Sequence, residues 1–485
     1  MSALSHYDLG FEAYEKGDFS QAIFHFEKAR QDAPADFQLL TQLCNALKCV
    51  GQFDKAVEIH ESLPLALLND PEVISNLATT YLESGKIEDA ISHLSRAVKR
   101  RPQDPQLLFE LAIAFEGHRD FEQAIRCDEQ VINLAPRHHR ALTHLGSCYK
   151  YLGDFEKAIA AQTRAVEIAP RHPDANWNLA LTELLLGRYE TGFARYEFRR
   201  QTKGFLNLGG CLWDGQPFDG VLVVHTEQGL GSTFQFIRYL PLLKSKVAHV
   251  TLMCQPALVP FLRNAFASDI EICPIRQVNK TQQVAPLLSL PFLLHRTIPY
   301  ADNIPYLSND SQRVDYWKKI FNTDNRLKVG LCWQGHPHHK DDADRSIPLH
   351  RLSPLFSNRE VRFFSLQKTH GVEQLSELST QFKIIELGSV LDEEGAFIDT
   401  ADVISVMDLV ITVDTAIAHL SGALGCETWT LLPCLPNFSW GLENHCPYYP
   451  KTRLFRQPLR GDWTTVVHEL NNALLDKVLP ARYWP

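Results

Sequence analysis

The sequence predicts an α-helical repeat array followed by an α/β region, so the fold class is α plus α/β. Two observations support this prediction. A 34-residue repeat runs from the start of the chain to about residue 200, and after Arg200 short β-branched runs alternate with helical stretches. At roughly 100–200 residues per domain, a chain of 485 residues accommodates two to four folding units.

Every repeat but the fourth carries a glycine, and five residues after that position every repeat carries a small residue. The glycine column is Gly17, Gly51, Gly85, Gly153 and Gly187, with Arg119 in the fourth place. The small-residue column is Ala22, Ala56, Ala90, Ala124, Ala158 and Gly192. Glycine ends a first helix in a left-handed backbone, and a small side chain lets two antiparallel helices approach closely. The columns therefore predict pairs of helices, each stacked on its neighbours.

This pattern resembles the tetratricopeptide repeat (TPR) family, in about six copies, and sets the first predicted domain at residues 1–200. TPR arrays form an α-solenoid that mostly binds segments of other proteins, so the resemblance implies a protein partner. Asn45, Asn76 and Asn178 fall on first helices, where an amide can hydrogen-bond an extended backbone. The alternative is an array that packs only against the rest of its own chain.

The α/β region opens with a strand, a glycine loop and a helix. Residues 221–225 form the predicted strand, and Gly229, Gly231 and Ser232 form the loop. Further strands are predicted at 249–253, 270–273, 328–333, 361–366, 383–386, 409–413 and 428–432, with helices at 256–265, 372–380, 416–423 and 464–475 and a polar connection at 300–315. The pattern predicts two Rossmann-like halves, residues 201–325 and 326–485, with a ligand cleft at the carboxyl ends of their strands. The last helix is expected to cross back over the first half.

Charge and composition narrow the classes of function. The 48 Lys and Arg against 57 Asp and Glu give a net charge of -9, which provides no global basic field for nucleic acid. No apolar run reaches the roughly 18 residues of a membrane span, and the N-terminus lacks the pattern of a signal peptide, so we expect a cytoplasmic protein. The eleven cysteines form no CxxC pair and no metal-like grouping with histidine, so we expect buried thiols and no metal site.

The segment 407–425 is the most informative part of the chain, with a strand, an Asp-Thr turn and a helix. The free backbone N–H groups at the start of the helix, at Thr415, Ala416 and Ile417, would form an anion site for a diphosphate. His419 lies one turn further on, on the same face as Thr415, and can add a donor. The alternative is that Asp414 only caps the helix.

The segment DLVITVDTAIAHLSGALG and the motifs around it resemble the bacterial TPR glycosyltransferases. The accompanying motifs are those at residues 213–215, 227–231, 235–239, 330–335, 345–349, 432–440 and 448–457. The catalytic part of that family is similar to the heptosyltransferases and, more distantly, to the protein O-GlcNAc transferases. The resemblance implies a GT-B fold with the acceptor on the first half, a nucleotide-sugar donor on the second and no obligatory metal.

Within that resemblance, the second half would hold the diphosphate and nucleotide of the donor. Beside Asp414, Thr415, Ala416 and His419, the expected donor-site residues are Arg345, Gln367, Lys368, Trp333, Gly335 and Trp440. Cations stabilise charge that develops on a leaving diphosphate. The alternatives are solvated surface charges for Arg345 and Lys368 and core aromatics for Trp333 and Trp440.

One position departs from the resembling families. Their glycine loop continues with an aspartate that serves as the general base, and this chain has Ser232 there. A serine hydroxyl has no useful basicity near neutral pH. Glu227, followed by His225, is therefore the expected base, and loop solvation or packing against the glycine turn is the alternative for Glu227.

Three functions remain open at this point. The first is transfer of a sugar to Ser or Thr hydroxyls of a protein recruited by the array, such as flagellin or another surface protein. The second is an interaction protein whose degenerate transferase domain serves as a scaffold or nucleotide sensor, and Ser232 is its main support. The third is a heptosyltransferase-like enzyme that acts on a glycolipid.

Overall fold

The computed structural model describes residues 3–34, 36–63, 71–266, 270–299, 303–339, 341–388 and 390–478. The chain divides into two compact units, Met1–Leu179 and Ala180–Pro485. The division falls inside the eleventh helix, so the predicted boundary at residue 200 lies within the second unit.

The first two hundred residues fold into pairs of helices, as the repeat predicts. The first helices of the pairs are α1 (Ala3–Glu15), α3 (Phe37–Cys49), α5 (Pro71–Glu83), α7 (Pro105–Gly117), α9 (His139–Tyr151) and α11 (Pro173–Leu185). The second helices are α2 (Phe19–Asp32), α4 (Phe53–Glu61), α6 (Ile87–Arg100), α8 (Phe121–Leu134), α10 (Phe155–Ile168) and α12 (Tyr189–Tyr196). Both series start at a spacing of 34 residues, so the register of the sequence is the register of the structure.

Both residue columns occupy the positions that the sequence assigns them. Every alanine of the small-residue column is 0% exposed, and a Cβ at Gly192 would lie only 2.8 Å from the side chain of Leu184. The repeat glycines have φ between 74° and 81°, in the left-handed region. Arg119 keeps the same turn at φ 63°. The helices pack into successive apolar clusters along the array, which is typical of a solenoid.

Replacing Arg119 with glycine should stabilise the array. A side chain in the left-handed region costs roughly 1–2 kcal/mol, and part of this gain is offset by the greater entropy of glycine in the unfolded chain. We expect Arg119→Gly to raise the free energy of unfolding by about 0.5–1 kcal/mol in urea denaturation followed by circular dichroism. Gly153→Ala is the matched control. Its Cβ would meet no atom within 4 Å, so the left-handed φ of 81° alone should lower stability.

The first sheet of the α/β region has five parallel strands in the order β1-β5-β2-β3-β4. The strands are β1 (Cys211–Leu212), β2 (Phe218–His225), β3 (Val247–Cys254), β4 (Glu271–Pro274) and β5 (Gln283–Pro286), and the α-helices are α13 (Leu230–Phe236), α14 (Val259–Phe266) and α15 (Leu290–Leu293). Because β2 pairs with both β3 and β5, the chain leaves β2 at the point where the strand order reverses.

The second sheet has six parallel strands in the order β11-β10-β9-β6-β7-β8. The strands are β6 (Leu327–Cys332), β7 (Val361–Ser365), β8 (Ile384–Glu386), β9 (Leu409–Val413), β10 (Thr428–Leu432) and β11 (Thr452–Arg456). The α-helices are α16 (Ser311–Phe321), α17 (Asp342–Arg345), α18 (Ser353–Phe356), α19 (Gln374–Leu378), α20 (Ile398–Val406), α21 (Ala416–Ala423) and α22 (Trp463–Val478). This is the strand order of dinucleotide-binding sheets, with its reversal between β6 and β9.

Three helices differ from the sequence prediction. Ser311 begins α16 inside the predicted polar connection, since Asp310 caps this helix by accepting from the Gln312 N–H; residues 300–302 of that connection lie outside the described residues. The predicted helix at 372–380 is shorter. The last helix packs Trp463, Val466 and Leu470 into the core of the second sheet, because its apolar face matches that sheet.

None of the helices in the described part of the chain combines the length and apolar character needed to cross a lipid bilayer. The parallel α/β architecture is established for both sheets, whereas the GT-B assignment remains a prediction.

Candidate functional site

The candidate site lies at the carboxyl ends of strands from both sheets. In open parallel sheets, ligands bind outside the carboxyl ends of the strands at the point where the strand order reverses. In the second sheet, this point lies between β6 and β9, where Cys332 is paired with Thr412. The loops that follow these strands carry Gly335 and Asp414. In the first sheet, β2 is followed by the glycine loop.

The turn after β9 leads directly into α21. Thr415 is the N-cap of this helix, with an extended backbone and no capping hydrogen bond from its side chain. Asp414 is therefore not the cap, which removes the alternative proposed for it. Burial raises the pKa of the Asp414 carboxyl above its usual value, against the opposing effects of the Trp440 indole and the Arg345 charge. The Thr415 hydroxyl lies 3.1 Å from that of Thr412.

His419 is buried beneath this turn. Its ring stacks on Trp440 at 4.7 Å between centroids, Nδ1 lies 3.1 Å from the Tyr449 hydroxyl, and Nε2 lies 3.9 Å from Asp414 Oδ1. Burial, together with the charges of Arg238 and Arg345, lowers the pKa of His419 to about 3. The imidazole is therefore neutral near neutral pH, so it can donate a hydrogen bond to a phosphate but supplies no positive charge.

Arg345 supplies the positive charge on this edge. It ends α17, where Nε donates to Asp342 at 3.2 Å and one terminal nitrogen donates to the Asp414 carbonyl at 3.0 Å. A Cβ at Gly335 would collide with the guanidinium, so glycine is required for the arginine to lie over this loop. The site of a bound diphosphate would thus combine a guanidinium with the N–H groups that begin α21.

The glycine loop of the first sheet reaches the same place. A Cβ at Gly231 would lie 2.8 Å from the His419 ring and 3.7 Å from Ala416. A side chain at residue 231 would therefore collide with the second sheet's site. The structure brings together most of the residues that the sequence predicts, namely Gly231, Arg345, Gly335, Asp414, Thr415, Ala416, His419 and Trp440.

Three other residues that were expected at the nucleotide-sugar site are buried or hydrogen-bonded to other parts of the protein. The Gln367 amide accepts from the N–H groups of Trp333 and Gln334 and donates to the carbonyls of Gln334 and His370. Trp333 is 0% exposed within the core of the second sheet, which is the alternative given for it. Lys368 donates to the Leu391 carbonyl at 2.6 Å and to Asp392 at 3.3 Å, so it is not a free surface charge.

Glu227, the predicted base, also binds another side chain of the protein. Glu227 follows β2, and both of its oxygens accept from the guanidinium of Arg199, while Leu288 N donates to Oε1. The two side chains of this pair, Arg199 and Glu227, are 2% and 4% exposed. His225 is 3% exposed, and burial lowers its pKa. Ser232 lies half-buried in the first turn of α13. This geometry makes Glu227 a buried ion-pair partner, and its predicted role as base gains no support.

Arg238 is buried near the site, and the sequence does not indicate a role for it. Its guanidinium donates to the Tyr448 carbonyl from two nitrogens at 3.2 Å and to the Tyr306 hydroxyl at 3.3 Å. The guanidinium also lies 5.0 Å from the ring centre of Tyr449, the partner of His419. Residues 235–239 and 448–457 were both recognised as motifs, but only their contact in space shows that one binds the other.

Comparisons with known proteins identify repeats in the first of the two regions, the helical array. Three family models described as tetratricopeptide repeat match residues 13–79, 75–126 and 139–172. Protein FlbA of Caulobacter vibrioides is 25% identical over 292 residues, which cover 56% of this chain and 49% of FlbA. The chain thus spans about half the length of this curated relative.

Solved structures that are similar to part of the chain include tetratricopeptide repeat proteins. The thermophilic TPR protein TTC0263 of Thermus thermophilus has 21% identity and a TM-score of 0.32, and the match covers 38% of this chain and 100% of that protein. A tetratricopeptide repeat protein from Parabacteroides merdae has 17% identity and a TM-score of 0.35, with coverages of 40% and 77%. MamA protein has 21% identity and a TM-score of 0.30, with coverages of 35% and 92%. From the family models and the 34-residue register, residues 13–126 and 139–172 of this chain carry tetratricopeptide repeats.

Proposed function

We propose that this chain is a TPR interaction protein whose α/β unit is a glycosyltransferase-like scaffold or nucleotide sensor. The observation that carries the proposal is that the chain has no carboxylate free to act at either position expected for the general base. Glu227 is held by Arg199 in a buried ion pair, and Ser232 stands where the resembling families have an aspartate. A base must reach the proton that it removes, and a carboxylate committed to a guanidinium is poorly suited to this step.

The repeats supply the interaction role. TPR arrays use stacked helical pairs to bind segments of other proteins, and this array keeps a regular register over all its helices. The partner is therefore proposed to be a protein. In this proposal, the α/β unit binds a nucleotide or nucleotide-sugar through Arg345, the N–H groups that begin α21, and neutral His419.

The second candidate is an active glycosyltransferase that moves a sugar from a nucleotide-sugar to Ser or Thr hydroxyls of the bound protein, such as flagellin or another surface protein. The observation that favours it is the approach of Gly231 to His419, which brings a loop of one sheet against the start of α21 in the other. Transferases of the resembling families react in such a cleft. In this candidate, a group other than Glu227 takes the proton of the acceptor.

A thermal-shift titration tests whether the nucleotide site exists. The natural chain is titrated with UDP, GDP, ADP, CMP and their sugar conjugates. At a ligand concentration about 100 times the Kd, binding raises the free energy of unfolding by about 2.7 kcal/mol, which gives a shift of several degrees. We expect Arg345→Ala to weaken binding roughly 10- to 100-fold, because it removes a charge-assisted contact to phosphate. The exposed Arg351→Ala is the matched control.

Release of the nucleoside diphosphate from the bound sugar conjugate then separates the two candidates. The scaffold proposal expects a shift without release in the natural chain and a gain of release in Ser232→Asp. Release by the natural chain would establish the second candidate. A chain that shows no shift with any nucleotide would remove the nucleotide from both, and would leave the protein-binding array as the function.

A further inference from the structure

One core column of the repeat array contains a carboxylate. Residues at the same repeat position, 34 apart, are Phe26, His60, Leu94, Asp128, Gln162 and Tyr196, and each is at most 2% exposed. Asp128 on α8 is 0% exposed. Aspartate is almost never fully buried unless it is paired or coordinates a metal, because removing its charge from water is costly. The surroundings of Asp128 must therefore supply a compensating group.

Two side chains of the next helix, α9, lie near Asp128. His144 Nδ1 lies 2.6 Å from Asp128 Oδ2, and Cys148, one turn further along, has its sulfur 3.9 Å from the same nitrogen. The other ring nitrogen of His144 lies 3.1 Å from a Glu116 carboxylate oxygen. Asp128 Oδ1 is buried and has no hydrogen-bond partner among the described residues.

We propose that Asp128, His144 and Cys148 bind a divalent transition-metal ion, for which Zn²⁺ is the best match. One atom from each side chain lies within 4.8 Å of the others, and the set offers one oxygen, one nitrogen and one sulfur. Zinc accepts all three ligand types, whereas Mg²⁺ and Ca²⁺ take oxygen ligands. A water molecule would complete a tetrahedron.

Glu116 has the geometry of an outer partner of this site. Metal-bound histidines usually donate their second N–H to a carboxylate, which fixes the tautomer and the ring orientation. Glu116 holds Nε2 in this way and leaves Nδ1 facing Asp128 and Cys148. The unpartnered Oδ1 of Asp128 adds a second oxygen that can turn toward an ion.

Small side-chain movements would accommodate the ion. Zinc bonds of about 2.0–2.1 Å place the nitrogen and oxygen ligands of a tetrahedron roughly 3.3 Å apart. The Nδ1 to Oδ2 distance of 2.6 Å must therefore open by roughly 0.7 Å. The sulfur, at 3.9 Å from Nδ1, must close by a few tenths of an ångström to the roughly 3.6 Å that longer zinc–sulfur bonds require.

The charge balance also fits a zinc ion. Metal binding replaces the proton on His144 Nδ1 and the thiol proton of Cys148, so two protons leave for each ion bound. The aspartate and thiolate charges then cancel the two charges of the metal, so the ion and its three ligands together are neutral, while the Glu116 carboxylate remains partly exposed to water. Because α8 and α9 belong to adjacent repeats, the ion would join one repeat to the next.

Cobalt and zinc titrations of the full chain test the proposal. After treatment with a chelator and dialysis, CoCl2 is expected to produce a thiolate-to-metal charge-transfer absorption that saturates at one equivalent and is displaced by ZnCl2. Cys148→Ser should abolish this absorption, whereas Cys44→Ser, at a buried cysteine of another repeat, should keep it. Glu116→Gln should weaken zinc binding roughly 10- to 100-fold.

Proton release from the natural chain provides a readout that does not depend on the folding of any variant. Two protons per zinc ion, measured with a pH indicator in weak buffer, are expected. An absorption that persists in folded Cys148→Ser would assign the metal to other thiols and overturn the proposal. A natural chain that releases no protons and gives no cobalt absorption would show that a proton alone balances Asp128.

Discussion

Glu227→Gln is expected to lower the free energy of unfolding of the second unit by about 3–5 kcal/mol, because it leaves the buried guanidinium of Arg199 without its main counter-charge. Arg199 and Glu227 share two hydrogen bonds in a region that is almost inaccessible to water. Seven of the eight tryptophans follow residue 180, so urea denaturation monitored by tryptophan fluorescence reports mainly on this unit.

The matched control for this prediction is Glu427→Gln. Glu427 pairs with Lys477 at 2.8 Å, but their side chains are 40% and 25% exposed, so the expected cost is at most about 1 kcal/mol. The double variant Arg199→Gln, Glu227→Gln should lose less stability than the sum of the two single variants. A Glu227→Gln protein that remained as stable as the control and lost sugar transfer would contradict the ion-pair role and restore Glu227 as the base.

Arg238→Met is expected to lower the free energy of unfolding by about 3 kcal/mol, since it removes the donors of the buried Tyr448 carbonyl and the stacking on the surrounding rings. The guanidinium lies 4.8 Å, 5.2 Å and 5.0 Å from the ring centres of Tyr306, Tyr448 and Tyr449. Methionine has a similar length and preserves much of the packing. The same fluorescence measurement applies, and a second unfolding transition would show that the two sheets have become uncoupled.

Arg453→Met is the control for Arg238. Arg453 is exposed and lies over the ring of Phe455 at 4.7 Å, where a cation–π contact contributes about 0.5–1 kcal/mol. Equal losses in the two variants would mean that the Tyr448 carbonyl finds another donor when Arg238 is absent. A much larger loss in Arg238→Met assigns the effect to the buried hydrogen bonds.

The repeat array shows how much a local pattern can predict. The starts of α2, α4, α6, α8, α10 and α12 all fall on the aromatic or isoleucine that follows the glycine position by two residues. Each repeat contacts mainly its neighbours, so the same short-range rules apply at every step. Even Arg119, which breaks the glycine column, adopts the left-handed turn, because the helices on both sides determine the backbone there.

The α/β region was predicted less completely. The strands β9 and β10 and the helix α21 have the bounds that the sequence gives them, since continuous apolar runs and a short helical pattern define them locally. The strands β1, β5 and β11 were missed. The short β1 and β5 gain their hydrogen bonds from pairing with each other and, for β5, with β2, and such pairing leaves no periodic signal in so few residues. The segment that forms β11 was recognised only as part of the motif at residues 448–457, and its strand character comes from pairing with β10.

The sequence by itself determined the 34-residue register, the change to parallel α/β folding after residue 200 and the position of the turn at Asp414 and Thr415 between β9 and α21. Each of these depends on residues that lie close together in the chain. Only the tertiary structure decided which charged groups are free to act. It paired Glu227 with Arg199 and Lys368 with Asp392. It also surrounded Arg238 with tyrosines and placed Asp128 near His144 and Cys148. The partner of a buried charge is chosen by contacts between distant parts of the chain, which periodicity does not encode.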